Sequence, residues 1–179
     1  MLWLKSLRLT QLQRLRLLKW ALDVAGILGA LVIQDEVMGR GHIKGATTEL
    51  PVAVIMLITV IEGTEVGSLF ALIASVQYFY TGSAPNAYAI AQICFPGILA
   101  CLLRQMYWHR SRASITLFAG IANMVYAIGM YVVGVSQGQT RWGTLPLFVL
   151  SGAYNVLVMI PLYLLIVKIG LIGGNTWKE

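Results

Sequence analysis

Apolar residues come in long runs broken by short polar or basic stretches, and these runs set the expected fold. They cover about 17–33, 50–61, 66–80, 87–103, 114–135 and 145–167. A membrane-crossing helix needs roughly 20 predominantly apolar residues, and each run reads as one span. The second and third runs are separated only by Glu62-Gly63-Thr64-Glu65. Merged into one helix, Leu50 to Tyr80 would be about 46 Å long against a hydrocarbon core of about 30 Å. The merged helix would also place both glutamates in the middle of the bilayer. Two short spans joined by a tight acidic turn avoid both difficulties, so the pattern predicts an all-α polytopic bundle of about six transmembrane helices.

Charge placement tests that number independently, because Lys and Arg gather on the cytoplasmic side. With six spans and an inner N-terminus, the inner segments hold Lys5, Arg8, Arg14, Arg16, Lys19, Arg104, Arg110, Arg112, Lys168 and Lys178. The outer loops hold only Arg40, Lys44 and Arg141. Five spans would reverse everything after Tyr80 and erase this bias. Both termini are therefore expected in the cytoplasm. The expected organisation is a basic amphipathic leader over 1–16, a single six-helix domain over 17–172, and a tail over 173–179. The leader reads either as a helix lying on the anionic inner leaflet or as a disordered basic tail that enforces topology. Because five more apolar runs follow and no clear cleavage site appears, the first run reads as a retained signal-anchor rather than a signal peptide.

Composition supports the membrane reading. The chain is 58% hydrophobic and 11% charged, whereas soluble domains carry about 25% charged residues. The net charge of +6 sits at span ends, which argues for a membrane surface and against nucleic acid. Trp3, Trp20, Trp108, Trp142 and Trp177 fall near expected interfaces, as belt anchors do. Pro51, Pro85 and Pro146 lie near span starts, while Pro96 and Pro161 lie inside spans. Cys94 and Cys101 are seven residues apart in one run, too far along a helix for a disulfide.

Motifs for enzyme chemistry are missing from the sequence. His42 and His109 belong to no metal-binding pattern, and there is no nucleophile elbow or phosphate loop. A non-enzymatic protein without cofactor or metal is expected. Asp23 is the one acidic residue clearly inside a span, one helical turn from Lys19, and reads either as an interfacial ion pair or as a polar contact to another helix. Glu62 and Glu65 read either as a solvated turn or as a docking point for a basic partner. Small residues recur at four-residue spacing: Ala21 with Ala25, Ala25 with Gly29, Gly26 with Ala30, and Gly63 with Gly67. Such faces let helices approach closely in lipid. Gln77, Gln92, Asn123 and Asn155 lie within spans and need hydrogen-bond partners there.

The order of these features resembles the rod shape-determining MreD family over roughly half the chain. The resemblance runs from Gln34 through Leu50-Pro51, Glu62-Gly63-Thr64-Glu65-Val66-Gly67, Phe70-Ala71-Leu72 and Tyr80-Thr81-Gly82-Ser83-Ala84-Pro85 to the basic stretch Arg104 to Arg112. Gln77 stands about where the family often has an acidic residue. The resemblance implies a multi-pass component of the bacterial cytoplasmic (inner) membrane, acting in cell shape and peptidoglycan elongation. Its implied partners are an MreC-like bitopic protein and the cell-wall synthases. The residues expected to carry such contacts are Ala21, Asp23, Ala25, Gly29, Glu62, Gly63, Glu65, Gly67 and Arg104. A rival reading is the substrate-binding S component of an energy-coupling-factor transporter, whose partners would be ATPase and transmembrane coupling subunits. That reading needs an outward pocket, for which Gln77, Tyr78, Gln92, Asn123 and Tyr126 are the candidate groups.

Overall fold

The computed structural model describes residues 10–36, 48–80, 87–107 and 112–172. Six α-helices are found there, and no strand among the described residues: α1 Gln11–Glu36, α2 Leu50–Glu62, α3 Thr64–Tyr80, α4 Ala89–Tyr107, α5 Arg112–Ser136 and α6 Leu145–Ile172. A short 3-10 turn, Trp142–Thr144, leads into α6. The expected apolar runs are all helical, and their ends extend into flanking polar sequence. Helix α1 begins six residues before the expected leader boundary. Its start is fixed by a capping box, in which Thr10 Oγ1 accepts from the Gln13 amide (3.3 Å) and Gln13 Oε1 accepts from the Thr10 amide (2.9 Å). Thr-x-x-Gln carries that signal in the sequence.

The break between α2 and α3 is a single residue, Gly63, with φ +92°. That left-handed region disfavours any side chain, so glycine permits the sharp reversal. The expected four-residue turn is thus shorter in fact, and Glu62 closes α2. Gly67, one turn into α3, lies where a Cβ would come within 2.3 Å of the Thr59 carbonyl oxygen. The absent side chain lets the two helices pack backbone to backbone.

Helix α2 is the hub of the bundle. Every residue from Leu50 to Ile61 is buried, and α2 packs against each of the other five helices. Around it the neighbours run α3–α4–α5–α6–α1. Helices α1 and α3, the two ends of this arc, leave an apolar groove between them lined by Trp20, Val24, Leu69, Phe70, Ile73 and Gln77.

Helices α1, α4, α5 and α6 are long and apolar enough to cross a membrane. Their outward side chains include Leu28, Val32, Leu117, Val125, Leu157 and Leu164, all at least 40% exposed, a surface suited to lipid. Helices α2 and α3, with 13 and 17 residues, are about 20 and 26 Å long. Helix α2 is surrounded by the other helices of the bundle rather than lying on its outer surface. Pro96 and Pro161 lie inside α4 and α6. Cys94 and Cys101 are free thiols.

Candidate functional site

At the end of the bundle where α2 meets α3, a buried charge cluster ties α1 to the hub. Lys19 is 4% exposed and forms an ion pair with Glu62, whose side chain is equally enclosed. Asp23, one turn further along α1, is 3% exposed. Its Oδ2 has no hydrogen-bond partner among the described residues. The Lys19–Asp23 pair suggested by sequence spacing is therefore displaced by a pair between helices. The reason is reach: α2 ends beside the Lys19 ammonium and delivers a carboxylate from across the interface. Three ionisable groups, two acidic and one basic, share this site. Glu62 is consumed within the chain and is not a solvated turn residue. Arg104, expected at the edge of a basic loop, lies within α4 and is fully buried. Its neighbour Gln105 reaches to 3.3 Å from where a Gly63 Cβ would stand. Glu65 belongs to the first turn of α3.

The small-residue positions divide into two kinds. Gly63 and Gly67 serve contacts inside the chain. Ala21 and Ala25 are exposed, and a Cβ on Gly29 would meet nothing within 4 Å. Together they face away from α2, since the face that packs on the bundle is formed by Lys19, Asp23, Ile27, Ala30 and Leu31, all buried. Helix α1 therefore presents two lateral surfaces left uncovered by the described residues: this smooth outward stripe, and the flank of Trp20 and Val24 that borders the groove.

The opposite end of the bundle holds a cavity of about 380 Å³ between Glu49, α5, the connection at 139–144 and α6. Glu49 lies in its wall, immediately before α2. The Glu49 amide donates to Asn155 Oδ1 at 2.8 Å. Its carboxylate Oε2 accepts from the hydroxyls of Tyr126 (2.5 Å) and Tyr78 (3.5 Å). Burial pushes the Glu49 carboxyl above its ordinary range, and the two tyrosine hydrogen bonds act in the opposite direction. Gln34 secures the same strand of backbone: its Nε2 donates to the Thr48 carbonyl (2.6 Å) and its Oε1 accepts from the Leu50 amide (3.0 Å). Two of the orphan amides that begin α2 are thus satisfied by side chains from α1 and α6. Arg141 and Ser151 also line the cavity.

Of the polar residues expected to find partners within spans, Asn155 does so through Glu49. Asn123 is fully buried, and its side-chain amide has no hydrogen bond among the described residues. Gln77 lines the lateral groove rather than the cavity. Tyr78 and Tyr126 do converge. Glu49 escaped notice in the sequence because it sits just before an apolar run, where an acid ordinarily points to water. Its one signal is its place directly before Leu50-Pro51, a helix start with Pro in the first turn. His42, His109, Trp3, Trp108, Trp177 and Pro85 lie outside the described residues. The described residues contain no cluster of three or more His, Cys, Asp or Glu able to hold a metal.

Comparison with protein-family models, with curated proteins and with solved structures finds no match to this chain.

Proposed function

We propose that this chain is an MreD-like, non-enzymatic component of the bacterial cytoplasmic membrane. It acts in the peptidoglycan elongation complex by holding a bitopic MreC-like protein against its side. The observation that carries the reading is the incomplete ring around α2. Five helices surround the hub, and the arc stays open between α1 and α3, where an apolar groove runs along the lipid-facing surface. One further transmembrane helix would close it. Helix packing in lipid relies on shape and close approach rather than on hydrophobic transfer. A groove bordered by Trp20, Val24, Leu69 and Ile73, with a smooth small-residue stripe on the outward face of α1, suits that kind of contact. The buried Lys19–Glu62 pair sets the position of α1 and hence the width of the groove.

In this reading all six helices cross the membrane, both termini are cytoplasmic, and the Lys19–Glu62 cluster is at the inner end. The ten-to-three distribution of basic residues supports that orientation. The enclosure of α2 explains how a 13-residue helix serves as a span.

The test is purification in gentle detergent from the native membrane, comparing the natural chain with Val24→Trp and Ala25→Leu. Both positions are exposed, so neither change disturbs the fold. Recovery of an MreC-like protein and cell-wall synthases with the natural chain, reduced several-fold by Val24→Trp or Ala25→Leu, is the expected result. Undiminished recovery with both variants would refute docking at α1.

The cavity beside Glu49 favours a second reading, an S component of an energy-coupling-factor transporter. Recovery of ATPase and transmembrane coupling subunits in the same purification would support it over the first.

A further inference from the structure

The cavity at the Glu49 end brings an acid, an amide and a guanidinium to one space. Both tyrosine hydroxyls converge on the same carboxylate oxygen of Glu49, Oε2, which leaves Oε1 to face other donors. A carboxylate oxygen in a partly enclosed cavity gains from a donor, and a cationic donor serves it best. The Asn155 amide is half used: Oδ1 accepts from the Glu49 backbone, which leaves Nδ2 with a proton to give. Arg141 supplies a cation to the same space, and Phe148 an apolar wall. The volume, about 380 Å³, lies within the roughly 300–1,000 Å³ typical of small-molecule sites. An acid on one side and an amide donor with a guanidinium on another complement a molecule that carries both charges.

We propose that this cavity binds a small zwitterionic group, with a primary ammonium on Glu49 and an anionic oxygen group toward Asn155 and Arg141. That chemistry has two sources at a membrane surface. One is the headgroup of a phosphatidylethanolamine, whose acyl chains would leave past Leu147. The other is a free amino acid. The proposal concerns the site's chemistry and rests on neither functional reading above; a partner helix at the distant α1 groove is neither required nor excluded by it.

The experiment is native mass spectrometry of the full chain released from detergent micelles, with dihexanoyl-phosphatidylethanolamine, dihexanoyl-phosphatidylcholine and L-alanine as probes. Phosphatidylcholine has the same charges but no N–H to donate. Retention of the ethanolamine lipid at least roughly tenfold over the choline lipid is expected, since a charge-assisted hydrogen bond is worth about that factor. Displacement of that lipid by millimolar L-alanine identifies a free amino acid as an equally good occupant; failure of L-alanine to bind identifies the headgroup. Glu49→Gln should abolish the preference for ethanolamine, and Arg141→Ala, at an exposed position, should weaken both zwitterions. Equal retention of ethanolamine and choline lipids, with no binding of L-alanine, overturns the proposal. So does an unchanged preference in a folded Glu49→Gln variant. Should that variant fail to fold, the comparison of probes on the natural chain still decides.

Discussion

The Lys19–Glu62–Asp23 cluster makes a prediction in which three substitutions at one site have unequal consequences. The site holds two acids and one base, all nearly inaccessible. Lys19→Met keeps the aliphatic stem and removes the cation of the pair, so two carboxylates lose its compensation. Breaking a buried pair in this way costs about 3–5 kcal/mol. The acids limit the loss by taking up a proton, which for an ordinary carboxyl at pH 7 costs roughly 3–4 kcal/mol. The expected destabilisation is therefore about 3–4 kcal/mol. Glu62→Gln also breaks the pair, but Asp23 remains to accept from Lys19, and the loss falls to about 1.5 kcal/mol. Asp23→Asn removes a like charge beside Glu62 and exchanges an oxygen with no hydrogen-bond partner among the described residues for an amide donor. Its effect should lie within about 0.5 kcal/mol of zero or be stabilising. The assay is unfolding of the purified protein by SDS titration in mixed micelles at pH 7, followed by circular dichroism. Because the groups are buried, the order should persist at high salt. Equal damage from Asp23→Asn and Lys19→Met, or three effects all below about 0.5 kcal/mol, would refute the description of this site.

Other parts of the structure lead to simpler expectations. Gly67→Ala places a methyl group against the Thr59 carbonyl, 2.3 Å away; α2 and α3 must separate, at about 1–3 kcal/mol in the same titration. Gly29→Ala meets open space and should be neutral or stabilising by up to about 1 kcal/mol through helix propensity; a large loss there would show that the stripe packs within the chain. For topology, reporter fusions at residues 83 and 140 should read outside and a fusion at residue 108 inside. An inside reading at 83 would defeat the six-span arrangement.

Much of the architecture was legible in the apolar runs. The separation of α2 from α3 followed from comparing a 31-residue run with the thickness of a bilayer, and Gly63 with its positive φ is the physical means of that separation. The helix ends were less legible, because polar residues such as Gln11 to Arg16 continue a helix once Thr10 has capped it. The partner of Lys19 across the helix interface was not legible, for a definite reason. Sequence spacing shows neighbours on one helix, and so it offered Lys19 as one of two possible partners for Asp23. The competing carboxylate of Glu62 arrives from another helix, at a separation of 43 residues. Glu49 was hidden in the same way, since Tyr78, Tyr126 and Asn155 come from three different helices. Ala21, Ala25 and Gly29 could be recognised as a close-contact face, yet only the packed bundle shows that this face points outward while Gly67 points inward.

The central claim is that the open side of the ring, between α1 and α3, receives the single span of a cell-wall synthesis partner. Site-specific photo-crosslinking in native membranes tests it most directly. Probes at Leu69 and Ile73, on the groove, would be compared with probes at Leu117 and Ile121, which are similarly exposed on α5. A crosslink to a bitopic MreC-like protein from the groove positions and not from α5 is the predicted result. Crosslinks to lipid alone from all four positions, or to transporter coupling subunits from the groove, would contradict it.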